Sequence, residues 1–159
     1  MLEAEVRVLR QQQQYGHGLV ADIAAERFAE QPIAGMNPPA WVLGHLAYAL
    51  DRHATFAGGE QKLADWQERF GKGSTLLPGA DDYPSKEALL AAWDGAIDRM
   101  IAAVESASDE TLASANTGPL PDAFPTVGDF LAFSMTAHTA GHLGQLSAWR
   151  RAIGHAAMY

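Results

Sequence analysis

The sequence predicts an all-α protein, a four-helix bundle formed by one domain over residues 1–159. Three observations predict this class. Apolar residues recur at alternating steps of three and four in four long stretches, the joints between them contain proline and glycine, and no stretch shows the alternation of two typical of a half-buried strand. A chain of 159 residues can bury a substantial core without disulfides. We therefore expect a single core.

The first two helices are delimited by proline. Residues 2–28 carry apolar side chains at helical spacing, with a polar, glycine-bearing middle, and Pro32 ends this helix because proline disfavours helical backbone at the preceding residue. Asn37 is a predicted N-cap for the second helix, since proline is tolerated in the first turn that follows it. We expect this helix to end near Gly58. One stripe of it contains Trp41, His45, Tyr48 and Arg52.

The third helix is predicted to begin after Ser85, which can cap it, and to continue to about Ser106. Its apolar stripe carries no side chain of a metal-ligand type. The irregular stretch before it contains a short predicted helix near residues 63–70. The run over residues 71–75 is not a phosphate loop, because Trp66 stands where that motif requires glycine.

The fourth helix is predicted to begin at Thr126, which forms a capping box with Asp129, and to end at Gly154. Residues 130–149 carry no charged side chain over the length of a membrane span. Two histidines, other polar side chains and a periodic apolar pattern indicate instead a buried amphipathic helix. Its predicted core face contains Leu131, Met135, His138, His142, Gln145, Trp149 and Ala152.

Two residues of this face, His138 and His142, predict a metal site. Residues four apart on a helix have Cβ atoms roughly 6 Å apart, so both imidazoles can bind one ion. His45 also lies on a core face, and three neutral imidazoles would leave a coordination position open, as in catalytic zinc sites. The chain has no cysteine, so no thiolate can serve as a ligand. The alternative is that each histidine is a core residue satisfied by a hydrogen bond.

Polar and small residues lie close to the proposed ligands in sequence. Gln145 and Tyr48 each follow a proposed ligand by three residues and are candidates to orient an imidazole or to bind a small molecule. The alternative is that they are polar side chains of a partly wet core. Gly44, Gly141 and Gly144 each lower helix propensity by about 1 kcal/mol relative to alanine. They indicate either a close helix crossing or room for a substrate.

The other three histidines are expected outside the site. His53 lies about 80° round the second helix from His45. His17 lies in the polar middle of the first helix, and His155 follows the end of the fourth. We expect each of the three to be exposed or locally hydrogen-bonded.

Charge and the N-terminal residues restrict partners and location. The formal net charge is −8, the isoelectric point is near 5.1, and no cluster of lysine or arginine is present, which argues against a nucleic-acid partner. We also expect no membrane partner. The N-terminal residues are acidic or glutamine where a secretory signal has a basic start and an apolar run, so we expect a cytoplasmic protein.

Two segments resemble a known family. The run His138-Thr-Ala-Gly-His142-Leu-Gly-Gln-Leu-Ser-Ala-Trp-Arg-Arg-Ala-Ile-Gly154, with Trp41-Val-Leu-Gly-His45-Leu-Ala-Tyr48 before it, closely resembles the DinB-like (DinB/YfiT) superfamily. The resemblance covers essentially the whole chain. It implies a four-helix bundle, often a homodimer, with a divalent metal such as nickel or zinc bound by three histidines, here His45, His138 and His142.

The resemblance also suggests a reaction class, because characterised members include thiol S-transferases and a mycothiol-dependent maleylpyruvate isomerase. The leading hypothesis is a metal-dependent transferase that acts with a low-molecular-weight thiol. The second is a metal-dependent hydrolase of small molecules; a peptidase is disfavoured because no glutamate stands between His138 and His142. The third is a non-enzymatic dimer that binds a ligand or partner.

Overall fold

A computed structural model describes residues 2–158, and within that range the fold is all-α, as predicted. Four long helical segments form the bundle, and within residues 2–158 extended backbone pairs only at an isolated bridge between Ala115 and Thr126. No helix in this range is long and apolar enough to cross a membrane. In chain order the helices are α1 (Glu3–Val20), α2 (Pro39–Ala54), α3 (Gln67–Phe70), α4 (Lys86–Ser106), α5 (Asp109–Ala113), α6 (Val127–Phe133), a π-helical turn (Ser134–His138) and α7 (Thr139–Ala152).

The most deeply buried element is α2. Every residue from 38 to 51 is buried, and α2 packs chiefly against α4 and also against α7. Apolar side chains supply most of this contact, which stabilises the bundle because burial removes their surface from water. A polar side chain on α2 therefore needs a partner inside the protein. The fully buried side chains between these helices include Leu43, Leu46, Leu50, Leu89, Trp93, Ile97 and Leu146.

Several helix ends are confirmed. Ser85 Oγ accepts the backbone N–H of Ala88 at 3.2 Å and caps α4. Thr126 Oγ1 accepts the N–H of Asp129 at 3.1 Å, and the carboxylate of Asp129 accepts the N–H of Thr126 at 3.2 Å, which completes the capping box of α6. Gly58 adopts φ +84°, a left-handed conformation that ends the turn after α2 and that glycine adopts without strain.

The first helix is shorter than predicted, because it ends at Val20 and not near residue 28. The carbonyl groups at and just after its end accept hydrogen bonds from side chains that lie far along the chain. Lys86 Nζ donates to the carbonyl oxygens of Val20 and Ile23, each at 2.7 Å, and Arg150 Nη1 donates to that of Leu19 at 3.1 Å. Ile23 and Phe28 remain buried although they lie outside the helix, which explains their helical-looking pattern.

The predicted cap at Asn37 is wrong. The residue before α2 is Pro38, which provides no side-chain cap, and Pro39 occupies the first helical position. Asn37 instead donates from Nδ2 to Oε1 of Gln145 on α7, at 3.1 Å. Its side chain therefore connects the loop before α2 to the last helix.

Three residues of the predicted core face of the fourth helix, Leu131, Met135 and Trp149, are buried as predicted, whereas the other four are not. A π turn contains more residues than an α turn, so the residues that follow it face a different direction. Gln145 and Ala152 are exposed, and His138 and His142 are half-buried at the edge of the core. The buried positions after the turn are Thr139, Leu143, Leu146, Trp149 and Arg150.

Candidate metal centre

Three histidines from two helical segments lie together at the edge of the bundle. His45 comes from α2, His138 ends the π-helical turn and His142 lies one turn along α7. One nitrogen from each ring lies within 4.8 Å of the other two. The Nε2 atoms of His45 and His138 are 3.3 Å apart, and the ring centroid of His142 is 4.5 Å from that of His45. The structure thus brings together the three histidines that were predicted from the sequence as metal ligands.

The spacing of the rings suits a metal ion. Two nitrogens bound to one ion at about 2.1 Å with a tetrahedral angle are about 3.4 Å apart, close to the 3.3 Å between Nε2 of His45 and Nε2 of His138. The Nδ1 atoms of His138 and His142 are buried and have no hydrogen-bond partner within residues 2–158. Buried nitrogens are normally bonded, so this cluster is not satisfied by the protein alone.

Burial keeps the imidazoles in the neutral form that binds metal. Desolvation lowers the pKa of His138 to about 4, with a smaller contribution from the nearby His45. Desolvation likewise lowers the pKa of His142 to about 3, although a polar contact with Gln145 acts in the opposite direction. The pKa of His45 is lowered by burial, and its bond to the Phe70 carbonyl partly opposes that shift. All three rings therefore offer a nitrogen lone pair at neutral pH.

His45 is the most rigidly held of the three. Its Nδ1–H donates to the carbonyl oxygen of Phe70 at 2.7 Å, which leaves the lone pair on Nε2. The indole of Trp41 stacks on the ring at 4.7 Å, and Trp41 Nε1 donates to Oγ of Ser74 at 2.8 Å. Phe70 could not be predicted as a partner, because a backbone carbonyl carries no residue-specific pattern.

The glycines beside the histidines have different surroundings. A Cβ on Gly44 would lie 2.1 Å from the ring of Phe70, so glycine is required there for close packing of that ring on α2. Gly141 and Gly144 are exposed, and a Cβ on either would have no atom within 4 Å. Close packing within this chain therefore explains Gly44 but neither glycine of α7.

The two polar candidates differ in their relation to the cluster. Gln145 contacts His142 and accepts the hydrogen bond from Asn37 described above. Tyr48 is buried, and its hydroxyl accepts a long hydrogen bond from Nη1 of Arg52, at 3.4 Å. Gln145 thus lies beside a proposed ligand, whereas the hydroxyl of Tyr48 contacts its own helix.

The remaining histidines lie outside the cluster, and each is hydrogen-bonded. His17 contacts Asp94 at 2.8 Å, and His155 contacts Asp22 at 3.2 Å. His53 is nearer to the cluster than its helical position suggests, with its ring 6.0 Å from that of His138. Its Nδ1 is 2.8 Å from Oγ of Ser134, and desolvation lowers its pKa to about 3.

A second buried polar cluster on α2 was missed by the sequence reading. Asp51 is completely buried; its Oδ1 accepts from Nε and Nη2 of Arg99 at 2.7 and 2.6 Å. Its Oδ2 accepts the backbone N–H groups of Lys62 and Leu63 at 2.9 and 2.7 Å. An aspartate on a largely apolar helix was the available signal, but its partner Arg99 lies 48 residues further along the chain.

Comparison with known proteins assigns the family. The sequence model of the DinB superfamily matches residues 9–146, a range that contains all three clustered histidines. A comparison with curated proteins finds no match. The family match covers most of the chain, and the helical fold agrees with it. This chain belongs to the DinB superfamily and carries a cluster of three histidines that could hold a metal ion.

Proposed function

We propose that this protein is a metal-dependent enzyme that transfers a low-molecular-weight thiol at the site formed by His45, His138 and His142. The observation that supports this function most is the neutrality of the donor set. All three donors are imidazoles, and within residues 2–158 no carboxylate belongs to the cluster. Neutral ligands do not compensate the charge of a divalent ion, so such a site favours an anionic further ligand, as a thiolate is.

The surrounding residues suit a small substrate. His138 and His142 are half-buried, so solvent and small molecules can approach their side of the cluster, whereas His45 is fixed from within. The ring of Phe133 lies 6.0 Å from that of His138 and stacks on Phe124 at 4.4 Å. These rings form an apolar surface beside the site that suits a carbon electrophile. Gln145 is proposed to orient His142 or a bound molecule, and Tyr48 is retained as a weaker candidate for the same role.

The chemistry requires a thiol from a cosubstrate, because the chain contains no cysteine. When bound, a divalent ion supplies positive charge that lowers the pKa of a coordinated thiol. The thiol releases its proton to solvent, its sulfur forms a bond to the electrophilic carbon, and the leaving group departs with its bonding electron pair. Neutral His45, His138 and His142 accept no proton in this step, because burial holds the pKa of each ring low.

Hydrolysis of a small molecule is the alternative enzymatic function, and the same neutral donor set supports it less. Hydrolysis needs a general base close to the attacking water. The cluster contains no carboxylate within the described part of the chain, and its histidines are the proposed ligands. A non-enzymatic bundle leaves the convergence of three neutral imidazole nitrogens within 4.8 Å without a role. We further propose nickel or zinc as the metal, a homodimer as the assembly and the cytoplasm as the location.

The first measurement is elemental analysis of protein purified without a nickel column. Metal-loaded protein is then incubated with a panel of low-molecular-weight thiols and an activated aryl chloride, and thiol consumption is followed. We expect a metal-dependent rate with at least one thiol that is lost in the His45→Ala and His142→Ala variants. The matched control is His17→Ala, which removes a histidine outside the cluster and should retain the wild-type rate. No metal-dependent rate above background with any thiol would refute the transferase.

A further inference from the structure

The π-helical turn Ser134–His138 determines where two of the clustered histidines lie. Each residue of an α-helix turns the chain by about 100°, so one additional residue in a turn rotates everything after it by that angle. The buried stripe accordingly moves from Leu131 before the turn to Thr139 and Leu143 after it. Without the extra residue, His138 and His142 would continue the stripe of Leu131 into the middle of the core.

Side chains donate to three carbonyl groups in and beside the turn. A widened turn interrupts the regular backbone ladder, and side-chain hydrogen bonds to its carbonyls help to hold it. The hydroxyl of Thr136 donates to the carbonyl of Ala132 at 2.6 Å, and that of Thr139 donates to the carbonyl of Ser134 at 2.9 Å. Nε2 of Gln12 donates to the carbonyl of Thr136 at 3.0 Å. The carbonyl groups of Ala132, Ser134 and Thr136 thus each accept a side-chain hydrogen bond. The carbonyl of Thr136 also accepts the backbone N–H of Thr139.

Two of the bonds to this turn come from other helices. Gln12 lies on α1, and His53 on α2 contacts Oγ of Ser134 at 2.8 Å. Gln12 also buries its Oε1 atom without a hydrogen-bond partner within the described residues. An unpaired buried acceptor lowers stability, so an apolar residue would suit this position better if stability were the only requirement. Within residues 2–158 the side chain of Gln12 makes its hydrogen bond to the turn.

We propose that Gln12 and Thr139 are positioning residues that hold the π-helical turn and thereby set the orientation of His138 and His142 towards His45. The inference deepens the proposed metal site and rests on it. Neither residue touches the ion or the substrate. Gln12 on α1 donates to the carbonyl of Thr136 in the turn. Thr139, the first residue of α7, has a fully buried side chain and donates to the carbonyl of Ser134.

The test is titration of the whole protein with cobalt(II), whose visible absorption reports the number and arrangement of ligands. We expect Gln12→Met and Thr139→Val to weaken cobalt binding about 10-fold or more, the range seen when residues that orient metal ligands are removed, and to change the spectrum. Thr139→Ser keeps the hydroxyl and should restore both. Gln14→Met alters an exposed glutamine of the same helix and should match the wild type.

The outcomes separate this inference from the proposed function. Wild-type affinity and an unchanged spectrum in both Gln12→Met and Thr139→Val would overturn the positioning role while leaving the metal site intact. Failure of the wild type to bind cobalt, zinc or nickel would overturn the metal site and this inference with it. The two variants lie on different helices, so loss of folding in one, monitored by circular dichroism, leaves the other to decide.

Discussion

Two polar clusters are buried along the same helix, and they differ in whether the protein completes them. The carboxylate of Asp51 has four partners, two from Arg99 and two from backbone N–H groups. The histidine cluster leaves Nδ1 of His138 and of His142 without a partner in the described chain. A completed cluster stabilises a single packing arrangement, whereas an incomplete one is suited to binding something from outside. The comparison therefore contrasts a structural ion pair with the proposed ligand site.

The largest effect is expected at the completed cluster. Asp51→Ala leaves the guanidinium of Arg99 and two N–H groups without their acceptor, and removal of one partner of a buried ion pair costs about 3 kcal/mol or more of unfolding free energy. Chemical denaturation measures this loss. Asp98→Ala is the control, because the ion pair of Asp98 with Arg10 is exposed and should contribute little. Equal losses in the two variants would show that Asp51 is not a structural centre.

The second prediction concerns completion of the histidine cluster by a metal. Zinc or nickel at a free concentration 100 times its dissociation constant should raise the unfolding free energy of the wild type by about 2.7 kcal/mol, because the ion binds the folded state alone. His142→Ala should lose this stabilisation. Asp51→Asn, if it folds, should retain it, since Asp51 lies outside the cluster. Thermal unfolding with and without the ion measures both, and stabilisation that persists in His142→Ala would contradict the assignment.

The third prediction is that the protein loses stability in acid because of His53, a half-buried histidine on α2. Burial lowers the pKa of His53 to about 3, below its value of about 6.5 in an unfolded chain. The unfolded state therefore binds the proton first as the pH falls, and the metal-free protein loses stability below pH 6.5. For one such histidine the loss between pH 6.5 and 5.5 is about 1 kcal/mol. His53→Asn cannot titrate and should reduce the measured loss by that amount; an unchanged pH profile would refute the low pKa.

The smallest effect is expected at the open face of α7. Gly141→Ala or Gly144→Ala should raise the unfolding free energy by about 0.5 kcal/mol each, because a Cβ meets no atom within 4 Å and alanine favours helix. Gly44→Ala should have the opposite sign, because its Cβ would collide with the ring of Phe70. Denaturation curves give both signs. Destabilisation by alanine at Gly141 or Gly144 would indicate that another molecule covers this face.

Much of the candidate site could be predicted from the sequence because its signals are local. His138 and His142 are four residues apart, which places them on one side of a helix, and the Thr126 and Asp129 capping box marks where that helix begins. The prediction failed where a distant residue competes with a local pattern. Lys86 donates a hydrogen bond to the carbonyl of Val20, where the first helix ends, although the apolar spacing in the sequence continues beyond Val20.

The sequence by itself determined the helical class, the caps with short-range partners and the three imidazoles, because these follow from spacing along one chain segment. Only the tertiary structure decided the π-helical turn, the hydrogen bond that His45 donates to the carbonyl of Phe70, and the pairing of Asp51 with Arg99. Each of these depends on which segments meet in space. Hydrogen-bond donors and acceptors brought together by packing leave no periodic pattern in the sequence, so their pairing appears only in the folded chain.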